Sequence, residues 1–177
     1  MTDVILEREL DEALSREDVL AMADEAHGCF AIYRVDWHQS FLAAGGRRLI
    51  CWFSAPDVDS ARAALRQSGV QDFRLWPATV RQAPGPDAPI WHQANVIVER
   101  SWEEPVLLDD IQAIEDAGAS CLETRQVRFS ATFFSTDGRA MVCLYSAPDA
   151  EAVRQAQRQA GMPLDSVWAC RQVRDLV

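Results

Sequence analysis

Apolar positions along this chain switch between a period of two and a period near 3.6, the signature of strands alternating with helices. Val4-Ile5-Leu6-Glu7 opens as a short β-rich run. Ser15, with Asp18 three residues on, predicts a helix start close to a capping box. Val19, Leu20, Met22, Ala23 and Ala26 follow at helical spacing, and Gly28 is the expected stop. Residues 30–42 alternate. Tyr33, Val35, Trp37 and Phe41 fall on one face, with Arg34, Asp36, His38 and Ser40 on the other. Ala43-Ala44-Gly45-Gly46 predicts a turn into a second strand over 47–54. Pro56-Asp57 then starts a helix with Ala61, Ala64 and Leu65 inward and Gly69 at its end, and 73–80 is the last strand.

The same order returns 92 residues later. Cys51-Trp52-Phe53-Ser54-Ala55-Pro56-Asp57 has its counterpart in Cys143-Leu144-Tyr145-Ser146-Ala147-Pro148-Asp149. Sliding residues 4–80 onto 96–172 needs no gap and gives 24 identities in 77 positions, far above chance, so the chain reads as two homologous units. The second unit is expected as a strand over 95–100, a helix over 107–117, a hairpin of 121–134 and 139–146, a helix over 149–160 and a strand over 165–173.

An order of β-α-β-β-α-β is the split βαβ arrangement called ferredoxin-like. The expected class is therefore α+β, with two tandem ferredoxin-like units over residues 1–82 and 93–177. Between them, 83–92 holds a stiff Pro/Gly linker, Ala83-Pro84-Gly85-Pro86-Asp87-Ala88-Pro89. Such a unit puts both helices on one sheet face, and an apolar open face needs a cover. The second copy is the expected cover, giving a pseudo-twofold, dimer-like α/β barrel or sandwich, monomeric or homodimeric.

Charge and composition narrow the functions. A net charge of −10 disfavours nucleic acid, since phosphate binding needs clustered cations. All 17 cationic residues are Arg, so no mechanism needing a Lys amine is available. Cys29, Cys51, Cys121, Cys143 and Cys170 include no CxxC pair; four of them lie at repeat-related positions in apolar runs, where free Cys behaves as a small buried hydrophobe. Met1-Thr2-Asp3 lacks the plan of a signal peptide, and no apolar run reaches membrane-spanning length. A reduced, cytoplasmic protein off the membrane is expected.

The opening Val4-Ile5-Leu6-Glu7-Arg8-Glu9-Leu10, the strand through Cys51 into Ala55-Pro56-Asp57, and the helix ending at Gly69 before a Val-containing strand resemble one small family. It is the family of single-domain ferredoxin-like proteins described as nickel-binding. The resemblance covers nearly the whole chain, twice, and is closer from Cys143 to Asp149 and over Ala160-Gly161-Met162-Pro163. It implies the ferredoxin-like fold and a Ni²⁺ or similar divalent site. The chain departs from that pattern with Ser54 and Ser146 where an acidic residue is expected, and with Leu65 and Gln157 where a His is frequent.

Candidate chemistry gathers on the polar face of 30–42. Asp36 and His38 sit two apart in an extended run, and Glu7 on another strand could join them as a metal-ligand set suited to a borderline divalent ion. The competing reading is a solvated strand face with Arg34 paired to Asp36. The second unit offers Gln126, Arg128 and Ser130 at the equivalent positions, so at most one unit keeps such a site. Glu7-Arg8 and Glu99-Arg100 recur and could be strand-end salt bridges or a paired base. Cys51 and Cys143 could be soft ligands, though core positions suit them better. Trp37, Trp52, Trp76, Trp91, Trp102 and Trp168 could wall an aromatic cavity. The leading expectation is a non-enzymatic ligand- or metal-binding protein. The alternatives are a cofactor-independent enzyme of monooxygenase or isomerase type, with Asp36, His38 or Glu7 as base, and a regulatory interaction module.

Overall fold

The computed structural model describes residues 1–86 and 91–174, so Asp87, Ala88 and Pro89 of the expected linker lie outside the described residues. The chain forms a mixed α+β fold with two compact units. One is Met1–Ala78 with the chain from Arg171 onward, and the other is Thr79–Cys170. The division passes inside two strands rather than through the Pro/Gly stretch.

In the first unit the order is β1 (Thr2–Glu9), α1 (Arg16–Tyr33), β2 (Asp36–Ala43), β3 (Arg48–Ala55), α2 (Val58–Gln67) and β4 (Arg74–Gln82). β1 lies between β3 and β4, and β2 adds outside β3, all antiparallel. Two parallel rows of side chains result. Val4, Leu6, Cys51 and Phe53 face the helices and pack against Val19, Ala26, Phe30, Ala61, Ala64 and Leu65. On the other face Ile5, Phe41 and Ile50 are buried as well.

In the second unit β5 (Val96–Ser101), α3 (Leu108–Ala117), α4 (Ala119–Thr124), β6 (Arg128–Ser135), β7 (Ala140–Ser146), α5 (Ala150–Gln159) and β8 (Ser166–Gln172) follow in turn. β5 lies between β7 and β8, with β6 outside β7. Its helix-facing core joins Val96, Val98, Cys143 and Tyr145 to Ile111, Leu122, Val153 and Ala156.

Local chemistry accounts for the boundaries, and it recurs 92 residues apart. Asp57 and Asp149 cap their helices, each accepting from a backbone N–H at 2.7 Å (Ser60 and Ala152), with Pro56 and Pro148 just outside. Ser15 and Asp18 form the capping box reciprocally, at 3.1 and 2.7 Å. Gly46 and Gly138 have φ of +72° and +70°; a Cβ there would lie 2.5 Å from the Leu14 carbonyl oxygen and 2.7 Å from that of Val106. Each glycine's own carbonyl accepts from the facing loop, from Leu14 at 2.8 Å and from Val106 at 2.9 Å. The strand bulge between Trp37 and Gln39 has its match between Phe129 and Ala131.

Two expected boundaries differ. The first helix does not stop at Gly28 but runs to Tyr33, so Cys29 and Phe30 are helical rather than on a strand. Phe30 explains the extension. It is buried and meets Phe53 edge-on with ring centroids 5.5 Å apart, and burying such a ring is worth about 1.5–3 kcal/mol. The left-handed residue that ends the helix is Arg34 (φ 54°), and Val35 N–H donates to Phe30 O at 2.8 Å in the manner of a Schellman cap. Likewise residues 119–124 are helical, where a strand from 121 was expected; Gln126 (φ 57°) takes the left-handed turn and Val127 N–H donates to Leu122 O at 2.9 Å.

Because Gly28 is a helix-interior residue with open space around it, Gly28→Ala should stabilise the fold by about 0.5–1 kcal/mol. Gly46→Ala should instead cost about 2 kcal/mol or more, from the left-handed backbone and the clash with Leu14 O. Urea unfolding midpoints of the two variants check both signs.

Candidate functional site

His38 sits in the β2 bulge, as the extra residue between Trp37 and Gln39. The bulge breaks the expected alternation: Trp37 and Ser40 share the helix-facing side, and Phe41 is on the other. The imidazole Nε2 is 2.9 Å from Ser54 Oγ, and the ring lies 4.7 Å from that of Trp52. Asp3, Ser54 and Asp36 stand abreast on β1, β3 and β2, and Asp3 also accepts from Trp52 Nε1 at 2.8 Å. Burial holds the imidazole below its ordinary value of 6.5, opposed by the charges of Asp3 and Asp36 and supported by Arg174. The ring is therefore neutral at pH 7.

Glu7 is not beside this group. β3 separates β1 from β2, and Glu7 lies four residues along β1 from Asp3, roughly 13 Å at strand rise. Its carboxylate meets Arg74 at 3.4 Å. Among the described residues no three His, Cys, Asp or Glu side chains gather as a metal-binding group. Glu99, the counterpart of Glu7, accepts from Ser166 Oγ at 2.6 Å and Trp168 Nε1 at 2.8 Å.

The second unit holds a different cluster, which the residue pattern alone did not single out. Arg100 points from β5 into the space under α3 and α5 and is only 2% exposed. Its Nε donates to Pro163 O at 2.7 Å, one terminal nitrogen to Gln157 Oε1 at 2.6 Å, and the other to Cys143 Sγ at 3.1 Å. Beside it, Tyr145 Oη donates to Glu115 Oε1 at 2.6 Å. Burial pushes the Glu115 carboxyl up, against the pull of the tyrosine hydrogen bond and the Arg100 charge. It also pushes up the Tyr145 hydroxyl and the Cys143 thiol.

Glu115 is also the floor of a cleft of about 910 Å³. Arg81, Gln82 and Arg128 line its rim; Leu122, Val127 and Phe129 form an apolar wall. Among the described residues Glu115 Oε2 receives no hydrogen bond, so the carboxyl keeps a free acceptor. The volume lies in the range of small-molecule sites, and a perturbed carboxyl at the floor of a mixed cleft is the usual mark of one.

The thiols divide by depth. Cys51, which accepts from Ser40 Oγ at 2.8 Å, and Cys170 are pushed up to about 12 by burial. Cys29 and Cys121 are half-buried, and none of the five is in a disulfide.

A family model described as nickel responsive protein SCO4226-like matches residues 97–169, under half of the chain. No curated protein matches. Among solved structures the chain is similar to SCO4226 from Streptomyces coelicolor A3(2), at 20% identity over 42% of this chain and 91% of that chain, with a TM-score of 0.38. It is similar to a mutant chlorite dismutase from Candidatus Nitrospira defluvii in complex with cyanide, at 11% identity over 97% and 91% of the two chains and a TM-score of 0.52. It is also similar to a heme-binding protein from Thermus thermophilus, at 8% identity over 97% and 90%, with a TM-score of 0.49. At these identities a likeness concerns the fold alone. No helix among the described residues is long and apolar enough to cross a membrane.

The raised Glu115 carboxyl has a consequence for stability. Its folded-state value lies above the ordinary 4.5, so the contribution of its protonated form is present below that value and is lost as pH rises through the folded one. Glu115→Gln should therefore gain stability relative to wild type as pH is raised from about 5 to 8. Urea midpoints across that range measure it, and parallel pH profiles for the two proteins would contradict it.

Proposed function

We propose that the chain is a non-enzymatic binding protein of two tandem ferredoxin-like repeats. The second repeat receives a small organic ligand in the cleft above Glu115. The observation that carries this reading is the nearly buried Glu115 carboxyl, one oxygen held by Tyr145 and the other free, at the floor of a cleft of about 910 Å³. A burial-strained carboxyl is relieved by a cation, and the wall of Leu122, Val127 and Phe129 asks for an apolar body. An amine with an aromatic or aliphatic body meets both demands. Calorimetric titration of benzylamine, with benzyl alcohol as the uncharged control, tests it. Binding of the amine by wild type and its loss in Glu115→Gln is expected; equal heats for both proteins would end this reading.

A second reading follows from the His38 group, and the nickel-responsive description of the family that resembles the second unit favours it. The donors of that unit do not fit such an ion: residues 97–169 contain no His. Its buried thiol, Cys143, is already engaged at 3.1 Å by the Arg100 guanidinium, and burial pushes that thiol up, away from the thiolate a metal needs. In the first unit a neutral imidazole stands with the Asp36 and Asp3 carboxylates. There Asp3 takes the place proposed for Glu7, which Arg74 engages. The three side chains do not close on a metal-binding group as they stand; a divalent ion would have to draw the carboxylates in around the imidazole, which would supply the selectivity. Titration of Ni²⁺ into wild type and His38→Ala decides it, with stoichiometric binding lost in the variant. Binding should weaken below about pH 6, as protons compete for the imidazole. Equal weak heats would remove the metal from this site.

A further inference from the structure

Compared position by position at the 92-residue offset, the two units differ sharply between sheet and helices. In the second, that space is filled by Arg100, Glu115, Tyr145 and Gln157, linked by hydrogen bonds. The equivalent residues in the first are Arg8, Ala23, Phe53 and Leu65. The arginine is kept and its three polar neighbours are replaced by apolar ones. What stands in their place is a cavity of about 50 Å³, lined by Arg8, Ala23, Phe30, Cys51, Phe53 and Leu65 among others. Arg8 Nε is buried with no hydrogen-bond partner among the described residues.

The geometry points to a ligand for this cavity: we propose that the first unit binds a short-chain monocarboxylate of acetate or propionate size, its carboxylate on Arg8 and its carbon end among Ala23, Phe53 and Leu65. The atoms that Glu115 has and Ala23 lacks are a methylene and a carboxylate, which together have the outline of acetate. In the second unit that carboxylate rests on Tyr145 beside Arg100; with Phe53 in the tyrosine's place, a free acid in the first has Arg8 as its partner. Arginine receives carboxylates through parallel N–H donors, and an Nε–H drawn out of water without an acceptor is unfavourable. A water molecule wants two to four polar partners, and the lining offers few: Arg8, and Ser40, whose hydroxyl already donates to Cys51. On the measure by which one water needs roughly 10–15 Å³, the cavity holds only a few heavy atoms, which excludes long chains. Arg8 is itself only half-buried, so the ligand enters at the guanidinium end. Phosphate and dicarboxylates would bring a second charge into an apolar wall.

Thermal unfolding in sodium acetate against sodium chloride of equal ionic strength, with saturation-transfer NMR of acetate on the same samples, tests this. Wild type should show a saturable rise in Tm specific to acetate and a transfer signal. Arg8→Met should weaken binding about tenfold or more. Ala23→Glu carries the carboxylate itself; it should no longer respond to acetate and should be more stable than wild type in chloride. The proposal is overturned if acetate and chloride act alike on wild type. It is overturned equally if either variant keeps the full acetate response, or if Ala23→Glu is less stable than wild type.

Discussion

A guanidinium taken almost wholly out of water has to be given its acceptors by the fold, and Arg100 is where that demand is met. Three elements answer it: the loop after α5 through Pro163 O, α5 itself through Gln157, and the central strand β7 through Cys143. Each contact fixes one element against β5. Glu115 and Tyr145 add a carboxyl and a hydroxyl beside it. The strained carboxyl and the cleft above it follow from the same arrangement, since Glu115 is buried at the point where α3 crosses β7. Buried polar groups of this sort cost several kcal/mol if left unmatched, so the cluster constrains which side chains α3 and α5 can turn inward.

The first unit shows the same scaffold without that constraint. Its strands keep the register, its Asp caps and left-handed turns fall at the same offset, and Arg8 keeps its place. With Ala23, Phe53 and Leu65 around it, the packing is apolar and leaves a void. Polar chemistry in this unit lies instead on the opposite sheet face, at the row of Asp3, Ser54 and Asp36 beside His38. Two units of one pattern thus present different chemistry on different faces.

Much of this was legible in the residues. Element order, the Asp57 and Asp149 caps, and the turns at Gly46 and Gly138 follow from local rules that act within a few residues. The end of α1 did not. Gly28 has the look of a stop, but Phe30 buries its ring only if the helix continues, and Arg34 accepts the left-handed turn a glycine would have taken. The bulge at His38 is set by pairing with β3, which no period along one strand reveals. Glu115 was hidden among Asp109, Asp110 and Asp116 as one more acid on a wet helix. A signal was present nonetheless: Glu115 falls four residues after Ile111 and seven before Leu122, on the buried stripe, and it aligns with Ala23. Gln157 aligns with Leu65 in the same way. Paired polar-for-apolar exchanges at inward positions 92 residues apart mark where the two units differ in buried polar chemistry.

The two equivalent arginines stand in opposite situations: Arg100 has all three of its donor nitrogens engaged, and Arg8 has a buried Nε with no partner among the described residues. Unfolding of Arg100→Met and Arg8→Met in urea measures this directly. Removing Arg100 strands Gln157 and the Pro163 carbonyl, takes a favourable charge from beside Glu115, and should cost about 3–5 kcal/mol. Removing the half-buried Arg8 deletes a buried Nε that has no hydrogen-bond partner among the described residues and should leave stability unchanged or slightly raised. Equal losses in the two variants would contradict the account.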